Sequence, residues 1–169
     1  MISNAMARKL NGQINKEFYS AYFYMSMSAH GESQSLRGVA AWFMAKYEEE
    51  MAHAMKLYRY LHDQGARVEL EAVDKPPAEY AGVLDMFEKT LAHEQHVTSL
   101  INSLASLCMD KRDHATLNFL QWFIAEQVEE EATASELVNQ LRMVGNSGHG
   151  MLMIDRELGV RVFATPAAE

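Results

Sequence analysis

The chain has 169 residues, room for one domain with a sizeable core and too few for two comfortable ones; 49% hydrophobic content and only three prolines favour helices. A net charge of −8, with the basic residues scattered, excludes nucleic acid as the partner and points to cations, while the single Cys108 excludes a disulfide framework and a polythiolate metal site. No apolar run approaches the roughly 20 residues that span a bilayer, and the N-terminal MISNAMARKLNGQ lacks the apolar core of a signal peptide, so no membrane partner and a cytoplasmic location are expected.

Apolar residues at helical spacing predict a first helix over about 5–33, through Leu10, Ile14, Phe18, Ala21, Met25 and Ser28, weakened at Gly12 by about 1 kcal/mol. The second runs over about 36–64, with Ser35 as its expected cap, Val39, Phe43, Tyr47, Ala54, Leu57 and Leu61 on its stripe, and DQGAR as its stop. ARVELEAVDKPPAEYA follows, kept extended by its Pro-Pro. At about 3.3 Å per residue it can run beside a whole 30-residue helix of about 45 Å.

The third helix is predicted over about 82–109, with Leu84, Phe87, Leu91, Val97, Ile101 and Leu104 on its stripe. Cys108 continues that stripe and reads as a small buried hydrophobe. The fourth spans about 113–144, capped by Asp113, lined by Leu120, Phe123, Ala134, Leu137 and Leu141, and ended at Gly145. Short links make the first and second helices one antiparallel hairpin and the third and fourth another. The fold class is therefore all-α: a four-helix bundle of two hairpins joined by one long crossover, in a single domain over 1–169. A short fifth helix at about 148–159, carrying Leu152, Met153, Ile154 and Leu158, would leave apolar surface open in a monomer and is expected to meet other subunits.

Every bundle helix interrupts its core stripe with a polar residue near its own midpoint: Glu17, Glu50 with His53, Glu94, and Gln127 with Glu130. Midpoints coincide in a bundle whichever way the helices run, so these side chains converge at one level. Four buried carboxylates repel and desolvate one another, and Lys46 alone cannot neutralise four acids. Two divalent cations would. Carboxylates with one imidazole, from Glu50-x-x-His53 on one helix face, suit iron or manganese.

With these residues placed, the sequence resembles the bacterial non-haem ferritins over nearly its whole length, in LNGQINKEFYSAYFY, YEEEMAH, AHEQ, NFLQWFIAEQVEEE and GHGMLMIDREL. The resemblance implies a ferroxidase: a first iron held by Glu17, Glu50 and His53, and a second by Glu50 as bridge, Glu94 and Glu130, with Gln127 alongside. It implies a weaker third site at Glu49, Glu126, Glu129 and Glu130. It places Trp122 beside the centre, and Tyr24 near it as either redox group or core filler. Fe²⁺ and O₂ (or H₂O₂) would be the substrates, a ferric mineral the product, and a hollow homo-oligomeric shell of twenty-four subunits the vessel. Related diiron proteins repeat E-x-x-H on the last helix, whereas this chain has Gln127-x-x-Glu130; a neutral amide would hold the second iron loosely, as suits iron in transit.

Two alternatives are less well matched. Met51 stands where bacterioferritins place a haem ligand, but haem is not expected. A rubrerythrin-type diiron oxidoreductase or peroxidase lacks support because the second E-x-x-H is missing. His93 and His96 lie off the Glu94 stripe and read as surface histidines, and Glu131 as a solvated acid.

Overall fold

A computed structural model describes residues 2–160, and among them five helices and no strand. Helix α1 spans Asn4–Ser33 and is capped by Ser3, whose hydroxyl accepts from the Met6 amide at 3.2 Å. Helix α2, Arg37–Asp63, returns beside it. Ser35 does not cap α2, contrary to expectation. It takes the left-handed conformation (φ 58°) that turns the chain out of α1, so its hydroxyl is not at the start of α2, where Leu36 offers no side-chain acceptor. The free amide of Val39 is met from a distance, by the Asp155 carboxylate at 2.9 Å.

The stop at DQGAR is as expected. Gly65 adopts φ 69°, and the Ala66 amide closes back on the Leu61 carbonyl at 2.9 Å. The crossover then follows α1. Asn11 donates to the Arg67 carbonyl (3.0 Å) and accepts from the Glu69 amide (2.9 Å), Asn15 donates to the Ala72 carbonyl (3.0 Å), and Ser26 donates to the Pro77 carbonyl. From Asn11 to Ser26 is about 22 Å of helix axis, so the segment carries the chain back to the end where α2 began.

From there α3 (Val83–Lys111) and α4 (His114–Val144) form the second hairpin. Asp113 caps α4 as predicted, accepting from the Thr116 amide at 3.0 Å, and Gly145 (φ 54°) ends it. Helix α5, Gly148–Val160, lies against the start of α2. The approach is close enough that a Cβ on Gly38 would fall 1.6 Å from the Asp155 carbonyl oxygen. Ile154 and Leu158 are buried there, while Leu152 (55%) and Met153 (59%) remain exposed, which leaves the outer face of α5 open for a contact.

The buried apolar residues form two clusters. One holds Leu10, Ile14, Leu57, Leu61, Ile101, Cys108, Leu120 and Phe123; the other holds Tyr24, Met27, Phe43, Trp42, Phe87, Leu137 and Leu141. Between them, at mid-bundle, lies a buried polar layer. No helix among the described residues is long and apolar enough to cross a membrane.

Candidate metal centre

Glu17, Lys46, Glu50, His53, Glu94, Gln127 and Glu130 are all buried, from all four bundle helices. Glu17 and Gln13 share one face of α1 because they are one turn apart, and the Gln13 amide donates to the Glu17 carboxylate at 2.8 Å. Glu50 and His53, at i and i+3 on α2, touch at 3.3 Å between Oε2 and Nδ1. Glu17, Glu50 and His53 each turn a ligand atom to within 4.8 Å of the other two. The Nε2 atom of His53 is buried with no hydrogen-bond partner, an unusual cost for an imidazole unless a ligand is meant to reach the ring.

On the other side of the layer, Tyr24 donates its hydroxyl to Glu94. Gln127 donates to Glu94 twice, to the carboxylate at 3.1 Å and the main-chain carbonyl at 3.2 Å, and to Thr98 Oγ1 at 3.3 Å. Glu130 receives the Lys46 ammonium, which also binds Glu49 at 2.8 Å. A cleft of about 290 Å³ between α3 and α4, lined by Thr98, Ile101, Gln127 and Glu131 among others, opens beside Gln127.

Burial and mutual repulsion set the protonation of this layer. Burial, then the charge of Glu50, lifts Glu17 well above the ordinary carboxylate range. Burial pushes Glu50 the same way, but His53 and Lys46 outweigh it and hold Glu50 down to about 2. His53 rises to about 9, because Glu50 and Glu17 overcome the effect of burial. Burial, reinforced by Glu50, lifts Glu94 to about 7, and burial also raises Glu130 despite Lys46. Tyr24 is raised well above its usual value by burial and by Glu94, so its phenol keeps the proton it donates. The raised carboxyls and the Lys46 ammonium offset part of the negative charge of the layer.

Of the residues expected at the third site, Glu49 and Glu126 approach His53, again within 4.8 Å, whereas Glu129 is exposed and Glu130 is bonded to Lys46. Trp122 packs edge-on against His53, with ring centres 5.2 Å apart. Two expectations are corrected. His93 is not a surface histidine: its ring packs on Phe23 (5.0 Å) and Tyr19 (5.9 Å), its Nε2 pairs with Ser20 at 2.7 Å, and burial depresses it to about 4. Flatly off-stripe on α3, it still faces α1. His96 is exposed, as expected. Glu131 is half-buried and accepts from Thr98 instead of being merely solvated.

The sequence reading missed Gln13, Thr98 and the double role of Lys46. Gln13 and Thr98 lie four residues from Glu17 and Glu94, a spacing that marks neighbours on one helix face and could have found them.

Fold and layer together define a class: a four-helix bundle with one long crossover and an inward set of carboxylates and imidazole that could hold a metal ion. Comparison with known proteins narrows it. Residues 7–144 match the ferritin family model, described as a ferritin-like domain, and the chain belongs to that family. It is 41% identical over 156 residues to a bacterial non-haem ferritin of Campylobacter jejuni, covering 92% of this chain and 93% of that one. It is 36% identical over 163 residues to one of Staphylococcus aureus, covering 96% and 98%. Among solved structures, an open-pore ferritin from the archaeon Archaeoglobus fulgidus superposes with a TM-score of 0.95 at 44% identity, over 96% of this chain and all of that one.

Proposed function

We propose that this protein stores iron and detoxifies it, oxidising Fe²⁺ with O₂ at the mid-bundle layer and passing Fe³⁺ to a mineral inside a multi-subunit shell. The observation that carries the reading is the convergence of Glu17, Glu50 and His53, buried and within 4.8 Å, beside Glu94, Gln127 and Glu130. Such a set is costly to bury without a cation to neutralise it. Family membership supports iron as that cation.

Each residue has a task in this reading. Glu17, Glu50 and His53 bind the first Fe²⁺, with Glu50 able to bridge to the second, which Glu94 and Glu130 hold and Gln127 adjoins. Iron is substrate here, so the ligands must bind and then release it. The amide of Gln127 serves release, because it carries no charge to bind Fe³⁺ with. Trp122 and Phe123 pack on His53 and orient its ring. Tyr24 holds Glu94 in place and sits where an electron donor to a reacting centre would be useful.

Glu49 and Glu126, with Glu129 farther out, form the weaker third site by which iron leaves the layer. The shell is supported by the exposed apolar face of α5, and the acidic balance of the chain gives a shell interior that attracts Fe²⁺. The test is aerobic addition of Fe²⁺ to metal-free protein, following oxidation and native mass together. Rapid oxidation with many irons per subunit retained in a large assembly is expected; a small oligomer keeping two irons per subunit would favour a diiron oxidoreductase.

A further inference from the structure

Among the described residues Lys46 is the one buried lysine, 1% exposed at the heart of an acidic layer. Its ammonium is not spread evenly over that layer. It bonds Glu130 on α4 and Glu49 one turn along α2 and reaches Glu50 only through its charge, while Glu17, Glu50 and His53 turn their ligand atoms toward one another within 4.8 Å. The two metal positions of the proposed ferroxidase therefore start from different states. Ligands of the first already converge. Those of the second are engaged elsewhere, Glu94 by Tyr24 and Gln127, Glu130 by Lys46.

A metal ion bound at an ordinary distance of about 2 Å to the Glu130 oxygen that Lys46 holds would lie within about 4 Å of the ammonium if Lys46 stayed. Repulsion between a double and a single positive charge at that range is prohibitive in a buried site. The ammonium must move, and Glu49 already holds it at 2.8 Å. Resting on the proposed dinuclear reading, we infer that Lys46 is a tethered counter-ion that holds Glu130 until a second divalent ion displaces it onto Glu49. It keeps the second position weak and makes it fill after the first. While parked on Glu49 it also withholds that carboxylate from the third site, so the second and third positions are coupled through one side chain.

The test uses Co²⁺ alone, titrated without oxygen into the assembled metal-free protein at pH 7.5 and followed by d–d absorption and calorimetry. Wild type is expected to show two phases per subunit. In Lys46→Gln the second phase tightens on the order of tenfold or more while the first moves several-fold less, from loss of one positive charge bonded to Glu130 and only near Glu50. Lys46→Arg keeps the second phase weak. Glu49→Gln, which removes the landing place and does not depend on Lys46→Gln assembling, weakens the second phase. A second phase that stays put in Lys46→Gln and in Glu49→Gln, or both phases shifting equally, overturns the inference while leaving the metal centre intact. Absence of any Co²⁺ binding sensitive to His53→Ala overturns the metal centre itself, and the inference with it.

Discussion

Gln127→Glu is the most discriminating single change in the metal layer. The Gln127 amide nitrogen lies 3.1 Å from Glu94 Oε2 and 3.2 Å from the Glu94 carbonyl oxygen. Replacing NH₂ by oxygen turns two hydrogen bonds into two oppositions of oxygen against oxygen, in a site 5% exposed. Left ionised, two carboxylates at that distance would repel by about 5 kcal/mol at an effective dielectric constant near 20. Taking up a proton at pH 7 is cheaper: about 2.5 pH units above a carboxyl value near 4.5, or roughly 3.4 kcal/mol. The protonated acid can then donate to Glu94 as the amide did.

Because Glu94, lifted to about 7, already shares part of that proton in the wild type, the metal-free variant should lose up to about 3 kcal/mol at pH 7. Its new carboxyl has a folded pKa raised above the unfolded one, so the penalty is nearly absent below about pH 4.5 and grows as pH rises, by about 1.4 kcal/mol per unit. Calorimetry should show a melting temperature below that of wild type at pH 7, by at most roughly 6–12 °C, with the gap closing toward pH 5. Divalent ions should reverse the sign, because an added anionic ligand binds the second metal more tightly, and iron retained at the centre after oxidation should rise. Unchanged iron retention would refute the assignment of Gln127 as the weak ligand.

Metal binding should strengthen from pH 6 to pH 9, because Glu94 (about 7) and His53 (about 9) must give up protons to bind; calorimetry in buffers of different ionisation enthalpy should find proton release falling away above that range. Tyr24→Phe removes the donor to Glu94 without opening a cavity. It should cost about 1–3 kcal/mol in the metal-free protein and shift second-metal binding to higher pH, whereas a pure core filler would leave the pH profile unmoved. Gly38→Ala drives a methyl into the Asp155 carbonyl, so α5 must lift off α2; native mass should show the assembly broken while circular dichroism retains the bundle helices.

The bundle was legible in the sequence because helix periodicity, caps and connection lengths are local properties. Asp113, Gly145 and the DQGAR stop act on the backbone within a turn of where they sit, and the mid-helix acids Glu17, Glu50, Glu94 and Glu130 stand out because carboxylates are costly on a core stripe. Even the shared level of those acids needed only arithmetic on helix midpoints. What neighbouring helices do to one another was not legible. Ser35 has the composition of a cap and the backbone of a turn, and the carboxylate that meets the Val39 amide comes from Asp155, more than a hundred residues on.

His93 shows the same limit. Its angle from Glu94 could be read along α3, but not that α1 stands on that side with Ser20, Tyr19 and Phe23. Lys46 shows it most clearly. Sequence alone counted one positive charge against four negative ones and set it aside as insufficient. Spacing along α2 could offer Glu49 as a partner, but only the packing of α2 against α4 decided that the same charge also falls on Glu130, because that pairing depends on distances of a few ångströms that no spacing along one helix contains.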